Sequence, residues 1–112
     1  HSVERLPELA HQALVVLQEL GYANVHIRPG NGSLGWPAGG PYDGILVSAG
    51  APDVPASLLE QLTDGGRLVI PIGTHEAQTL TVVERRGRAL QRTEITSCVF
   101  VPLIGEQGWP AT

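Results

Sequence analysis

The first twenty residues carry apolar side chains at steps of three and four, the spacing of one face of an α-helix. Pro7 suits a first helical turn because a proline lacks the donor that would be unpaired there. Gly21 can take the left-handed conformation that ends a helix, so the pattern predicts a helix that begins at Pro7 and ends at Gly21. The apolar positions are Leu6, Leu9, Ala10, Ala13, Leu14, Leu17 and Leu20.

Apolar runs separated by glycine and proline follow this helix. Alternation in "NVHIRPG" predicts a strand over residues 24–28, and the unbroken run 45–47 predicts a central strand covered on both faces. The segment "VPASLLEQLTDGG" predicts a short helix closed by Gly65 and Gly66. Strands are also predicted at residues 67–73, 79–85 and 89–95, with a turn at Gly87. This order indicates an α/β fold with a mostly parallel sheet and an antiparallel carboxyl-terminal edge.

The size and composition of the chain limit the classes of protein that it can be. Its 112 residues suit one compact domain, residues 1–112. A net charge of −4 argues against a nucleic-acid partner, and no apolar run is long enough to indicate a membrane partner. Cys98 is the single cysteine and cannot form an internal disulfide, so we expect a cytoplasmic protein with a buried, inert thiol. We expect no metal, because His11, His26 and His75 are too scattered to form a metal set.

Three loops rich in small residues follow the predicted strands. They are "GNGSLGWP" at residues 30–37, "AGAP" at 49–52 and "PIG" at 71–73. Ligands of open α/β sheets bind at the carboxyl ends of the strands, so these loops are candidates for one binding edge. The alternative is that glycine and proline simply end the strands.

The sequence resembles the protein-L-isoaspartate O-methyltransferase family in five phrases, in both content and order. They are "VERLPELA", "LGYANVHIRPGNGSLGWP", "PYDGILVSAGAP", "LLEQLTDGGRLVIPIG" and "FVPLIGEQGW", and they cover nearly the whole chain. The resemblance implies a partial Rossmann-like methyltransferase fold. It also implies an enzyme that transfers a methyl group from S-adenosylmethionine to the carboxylate of isoaspartyl residues in damaged proteins, which allows their repair.

The resemblance assigns a group of residues to S-adenosylmethionine: Glu4, Arg5, Asn31, Gly32 and Ser33. Glu4 would accept hydrogen bonds from the ribose, because a carboxylate can accept from two neighbouring hydroxyls. The alternative role of Glu4 is to stabilise the start of the following helix. Asn31 stands where the family usually has an aspartate that accepts from the adenine amino group. An asparagine carbonyl can also accept there, but it is neutral.

The resemblance places the isoaspartyl substrate beside small residues of the later loops: Ala51, Pro52, Pro71, Gly73 and Val101. Small side chains allow a peptide main chain to approach. For Val101, core packing is the stronger interpretation when its residue type is considered alone. No catalytic side chain is assigned, because the substrate carboxylate is already ionised at neutral pH and the enzyme needs only to position it and exclude water.

The family's glycine-rich cofactor loop and its amino-terminal substrate segment have no counterpart in residues 1–112. The resemblance therefore implies an incomplete, carboxyl-terminal portion of the domain, inactive by itself. Because the family's first strand lies centrally, we expect a split sheet whose unpaired edges form a homodimer. Two alternatives stay open: a methyltransferase that modifies an aspartate in a biosynthetic peptide, and a non-catalytic, self-associating remnant.

Asn31 is followed by Gly32, a pair that favours deamidation through a succinimide. Glycine leaves the attacking backbone nitrogen unhindered. If the loop is mobile, we expect Asn31 to deamidate faster than Asn24, which precedes the branched Val25.

Overall fold

The computed structural model describes residues 1–111 as strands and helices that alternate along the first part of the chain, followed by strands alone. The strands are β1 (Ser2–Glu4), β2 (Ile27–Pro29), β3 (Tyr42–Leu46), β4 (Leu62–Gly73), β5 (Gln78–Arg86) and β6 (Ala89–Cys98). The α-helices are α1 (Pro7–Glu19) and α2 (Ala56–Glu60), and short 3-10 turns lie at Gly32–Leu34 and Pro37–Gly39.

Helix α1 begins and ends as its sequence predicts. Pro7 occupies the first turn, and the backbone N–H of Leu20 closes the last turn on the carbonyl of Val16 at 3.0 Å. Gly21 follows with φ at 83°, the left-handed conformation that glycine adopts at little cost. The prediction of this helix is therefore confirmed.

The strands form two separate sheets. β1 and β2 pair in parallel, and the larger sheet has the order β3-β4-β5-β6. Within the larger sheet β3 and β4 are parallel, whereas β4, β5 and β6 are antiparallel neighbours. The α/β class, the antiparallel carboxyl-terminal edge and the split between the sheets are confirmed. The strand pairing is mixed, with two parallel and two antiparallel pairs, where a mostly parallel sheet was predicted. Within residues 1–111, β1 and β3 each pair on one side only.

The hydrophobic core lies where α2 packs against the larger sheet. Leu68 and Ile70 are fully buried on one face of β4, at the two-residue period of a strand. Val83 of β5 and Leu58 of α2 pack against them. The buried Ala51 and Leu103 join this cluster from loops, so two loops are fixed to the core.

The predicted helix that Gly65 and Gly66 would close is wrong in its extent. α2 is only five residues long, and β4 begins two residues after it ends. The carbonyl of Gln61 accepts from the backbone N–H of Tyr42 at 2.7 Å, so pairing with β3 replaces further helix. Gly65, with φ at 80°, lies where the pairing of β3 with β4 shifts register.

The prediction that residues 45–47 form a strand covered on both faces is also wrong. Leu46 is 79% exposed, because β3 is an edge strand within residues 1–111. The first predicted strand, 24–28, is shifted to Ile27–Pro29. Cys98 ends β6 and is half-buried, not buried as predicted. No helix among residues 1–111 is long and apolar enough to cross a membrane.

Candidate functional site

A cleft of about 960 Å³ separates β1 from β3. One wall is β1 with the start of α1, and the opposite wall is β3 with the residues that follow it. The segment 101–104 and the glycines of the loop after β2 close further sides. The cleft is lined by part of the predicted site, namely Glu4, Arg5, Gly32 and Val101. The gap between the two sheets thus brings together three of the predicted cofactor residues and one predicted substrate residue, Val101.

Glu4 ends β1, and its carboxylate lies at the cleft. Its Oε1 accepts from the backbone N–H of Leu6 at 3.1 Å, at the entry to α1. Glu4 is half-buried and Arg5 is exposed. The hydrogen bonds found among the described residues use one carboxylate oxygen, so Glu4 can support the helix start and still accept from a ligand with the other.

The loop after β2 is organised by Asn31. Its Oδ1 accepts from the backbone N–H of Ser33 at 3.0 Å and from the Ser33 hydroxyl at 2.6 Å. Ser33 is fully buried, and its Oγ also accepts from the backbone N–H of Gln107 at 3.0 Å. Unlike Gly32, neither Asn31 nor Ser33 lines the cleft. Both side chains therefore fix the shape of the loop through hydrogen bonds without lining the cleft.

Trp36 is held at the end of the same loop by Gln61. The buried Gln61 amide accepts from the backbone N–H of Trp36 at 2.9 Å and donates to the carbonyl of Leu34 at 2.8 Å. The Arg28 guanidinium lies over the indole ring, 4.5 Å from its centroid. This cation–π contact and the Gln61 hydrogen bonds position the tryptophan beside the cleft.

The predicted substrate loops lie side by side as one surface, which we call the rim: residues 49–52, 71–73 and 101–103. The backbone N–H of Ala51 donates to the carbonyl of Pro71 at 3.0 Å, and that of Gly50 donates to the carbonyl of Val101 at 2.7 Å. The segment 49–52 therefore lies between the other two. Main-chain hydrogen bonds, not side chains, set the spacing of the rim.

Exposure differs sharply among the predicted substrate residues. Ala51 and Pro71 are buried beneath the rim, Gly73 is half-buried and Pro52 is exposed. Val101 is 70% exposed, so the interpretation that it packs in the core is wrong. The carbonyl of Val101 is hydrogen-bonded while its side chain projects into the cleft opening.

Three glutamines that the sequence did not single out join these loops to the rest of the molecule: Gln61, Gln78 and Gln107 (the bridging glutamines). Gln78 donates to the carbonyl of Thr74 at 2.7 Å and accepts from the N–H of Phe100 at 2.6 Å. Gln107 accepts from the N–H of Ser57 at 2.9 Å and donates to its hydroxyl at 2.7 Å. A glutamine amide can donate and accept at once, which suits it to join two backbone segments.

Metal-binding side chains are dispersed in the structure. Within residues 1–111, no three histidine, cysteine, aspartate or glutamate side chains come close enough to hold a metal ion. The polar groups at the cleft are instead a carboxylate, a guanidinium, an imidazole, an amide, hydroxyls and backbone groups. They are suited to hydrogen bonding with an organic ligand.

The fold and the cleft place the chain in a structural class of methyltransferases. A solved protein-L-isoaspartate O-methyltransferase superposes with a TM-score of 0.86 at 29% identity, over 95% of this chain and 34% of that one. A Plasmodium falciparum protein described by the same name, in complex with S-adenosyl-L-homocysteine, superposes with a TM-score of 0.77 at 24% identity. That match covers 91% of this chain and 50% of the other, and it shows the shared fold.

The family follows from the sequence matches. Residues 1–108 match the model of the protein-L-isoaspartate(D-aspartate) O-methyltransferase family, and the chain belongs to that family. It is 53% identical over 110 residues to protein-L-isoaspartate O-methyltransferase of Trichlorobacter lovleyi, covering 96% of this chain and 50% of that protein. Protein-L-isoaspartate O-methyltransferase 1 of Syntrophobacter fumaroxidans is 47% identical over 108 residues, with the same coverage. The chain spans about half the length of these relatives.

Proposed function

We propose that this chain forms the carboxyl-terminal part of a protein-L-isoaspartate O-methyltransferase, which methylates the isoaspartyl carboxylate of damaged proteins for repair. The observation that carries the proposal is the family match over residues 1–108, together with the superposition on a solved member at a TM-score of 0.86. The cleft between β1 and β3 supports it, because predicted cofactor residues and a predicted substrate residue line the same space.

The residues at the cleft fit the ribose end of S-adenosylmethionine. Glu4 has a carboxylate oxygen free to accept from a hydroxyl, and Gly32 leaves the loop backbone open to a ligand. Asn31 and Ser33 support that backbone from behind, so we assign them an indirect part in adenosine binding. Arg5 is exposed beside Glu4 and would contact the same ligand. When bound, S-adenosylmethionine supplies an electrophilic methyl group on a sulfonium centre.

The rim fits the main chain of an isoaspartyl peptide. Its spacing comes from backbone hydrogen bonds, and the small residues Pro52 and Gly73 leave its surface accessible above the buried Ala51 and Pro71. Val101 projects from the rim into the cleft opening and would contact the isoaspartyl residue. The substrate carboxylate is the nucleophile and is ionised at neutral pH. The chain's contribution is therefore to orient that carboxylate and to exclude water.

A complementation assay tests this function. The chain is measured alone and after mixing with the amino-terminal half of the Trichlorobacter lovleyi relative, for S-adenosylmethionine binding and for methyl transfer to an isoaspartyl peptide. We expect weak or undetectable binding by the chain alone, and transfer by the mixture. A stable mixed complex that methylates no isoaspartyl peptide would contradict the proposal. Transfer to an ordinary aspartyl peptide instead would favour the biosynthetic alternative.

The role of Glu4 is tested in the same mixture by Glu4→Gln, with the exposed Glu8→Gln of α1 as the matched control. Charge-assisted hydrogen bonds contribute about 1.5–3 kcal/mol each, so we expect Glu4→Gln to weaken cofactor binding about tenfold or more. Glu8→Gln should leave binding unchanged. Equal affinities of the two variants, with a lower Tm for Glu4→Gln, would show that Glu4 only supports the helix start.

We also propose that the chain by itself forms a homodimer through the unpaired edges of β1 and β3. Each edge presents main-chain groups to the cleft, and Leu46 places a largely exposed apolar side chain there. Such an edge is a template for pairing with a strand of a second copy. We propose a cytoplasmic location, because Cys98 is the single cysteine of the chain, and no nucleic-acid partner, because the net charge is −4.

A further inference from the structure

The Asn31–Gly32 peptide bond is chemically reactive in an unfolded chain. The backbone nitrogen of Gly32 attacks the side-chain Cγ of Asn31, the nitrogen loses its proton, and ammonia leaves as a five-membered succinimide forms. One water molecule then opens the ring at either carbonyl, giving an isoaspartyl or an aspartyl residue. The net change is the replacement of ammonia by water, and it needs no other reactant.

The folded backbone at Asn31 opposes ring closure. The succinimide requires Cβ of Asn31 and the nitrogen of Gly32 to be nearly eclipsed about the Cα–C bond. Asn31 has ψ at 100°, and the tetrahedral geometry of an L-residue then places those two atoms closer to trans than to eclipsed. The backbone must therefore rotate by a large angle before the nitrogen can reach Cγ.

Hydrogen bonds hold the Asn31 side chain in this unreactive arrangement. Its Oδ1 accepts from both the N–H and the hydroxyl of Ser33, at 3.0 and 2.6 Å. Rotation toward the succinimide breaks both bonds. It also leaves the hydroxyl of Ser33, which is fully buried, without its acceptor. These contacts favour a fixed Asn31 side chain over the mobile loop that the glycines suggest.

The carboxyl-terminal turn, residues 103–109, packs against this arrangement. A Cβ added to Gly105 would collide with Oδ1 of Asn31, so the turn lies in direct contact with the reactive side chain. The backbone N–H of Gln107 donates to Oγ of Ser33, and the side chain of Gln107 is hydrogen-bonded to Ser57 in the first turn of α2. The turn is thus fixed to α2, and it covers the hydrogen-bonded pair of Asn31 and Ser33, which we call the Asn31–Ser33 cap.

We propose that Asn31 is a latent deamidation site, and that docking of the carboxyl-terminal turn against the Asn31–Ser33 cap suppresses its reaction. Loss of this docking exposes Asn31 to the chemistry that its glycine neighbour favours. Conversion to isoaspartate would lengthen the backbone by one methylene between Asn31 and Gly32 and would break the cap, so the turn could not dock again. The inference depends only on these contacts and not on the proposed enzymatic function.

The test measures deamidation at two asparagines in the same molecule. The chain is aged in mildly alkaline buffer and in denaturing urea, and peptide mapping by mass spectrometry gives the rate at each site. We expect Asn31 to react at least about tenfold more slowly in buffer than in urea, the factor that two ordinary hydrogen bonds supply. Asn24 is exposed, so its two rates should be similar. Equal rates for Asn31 in buffer and urea would overturn the proposal.

Substitutions in the turn test its part directly. The added methyl group of Gly105→Ala would displace the side-chain Oδ1 of Asn31, so the deamidation rate at Asn31 should rise close to its value in urea. The control is Gly44→Ala, whose added Cβ meets nothing within 4 Å and which should leave that rate unchanged. Circular dichroism shows whether each variant is folded. If Gly105→Ala does not fold, Gln107→Ala, which removes the bonds to Ser57, should give an intermediate rate. Wild-type rates at Asn31 in every folded turn variant would refute the role of the turn.

Discussion

Replacing Gln61 by leucine should detach the loop that ends at Trp36. Gln61 is 7% exposed, and its amide makes hydrogen bonds of 2.9 and 2.8 Å to backbone groups of Trp36 and Leu34. Leucine has nearly the same size as glutamine and no polar atoms. Gln61→Leu therefore removes both bonds while it largely keeps the packing, so the change in stability reports the hydrogen bonds.

The expected loss is about 2–3 kcal/mol in the free energy of unfolding. An ordinary hydrogen bond contributes a net ~1 kcal/mol, and a buried group left without a partner costs a further ~1–3 kcal/mol. Leu34 and Trp36 are half-buried, so water can partly replace the lost amide. Only a fraction of the cost of an unpartnered polar group therefore applies. At about 4–8 °C per kcal/mol for a small domain, the Tm should fall by about 10–20 °C.

Thermal and urea unfolding followed by circular dichroism measure this change. The matched control is Gln12→Leu, an exposed position of α1, because glutamine and leucine have similar helix propensities. We expect the control to change the stability by less than about 0.5 kcal/mol. The urea midpoint of Gln61→Leu should fall with an unchanged slope. Equal midpoints for the two variants would refute the view that the Gln61 amide holds the loop.

Three further predictions concern the core, the rim and the edge of β3. Ile70 is fully buried, so Ile70→Ala should lower the free energy of unfolding in urea by about 2–5 kcal/mol. The control Ile95→Ala, at a position 57% exposed on β6, should lower it by less than about 0.5 kcal/mol. Equal losses would contradict the assigned core. Val101→Ala should likewise change the free energy of unfolding by less than about 0.5 kcal/mol. A loss as large as that expected for Ile70→Ala would show that Val101 packs in the core after all. Leu46→Glu should reduce the mass measured by sedimentation velocity while circular dichroism shows a folded chain, and Leu90→Glu on β6 should leave the mass unchanged. An unchanged mass for Leu46→Glu would contradict pairing through β3.

The parts of the fold that local signals encode could be predicted from the sequence. α1 has its proline at the start and its glycine at the end, and β5 and β6 flank the turn at Gly87, which has φ at 61°. The boundary between α2 and β4 could not be predicted in this way. There Gln61 forms tertiary hydrogen bonds with Tyr42 and Trp36, and these override the helical pattern that continues toward Gly65.

The residues of the candidate site likewise include some that the sequence could identify and others that depend on tertiary contacts. The family phrases led to Glu4 and Gly32, which line the cleft, and to Asn31, which acts by shaping the loop. The bridging glutamines gave no signal, because a glutamine that joins two loops has the same neighbours in sequence as one that faces solvent. The exposure of Val101 could not be predicted either. It depends on how residues 101–103 pair with Gly50 through backbone hydrogen bonds, which is a tertiary contact.

The bridging glutamines have a consequence for the conditions under which the cleft keeps its shape. Their amides carry no charge and do not titrate between acid and alkaline pH, and their hydrogen bonds are too short-ranged to be screened by ions. Loops held by carboxylates or by lysines come loose when those groups change protonation or when the ionic strength rises. The loops joined by Gln61, Gln78 and Gln107 should therefore keep their positions through changes of acidity and salinity that would disturb a charged attachment.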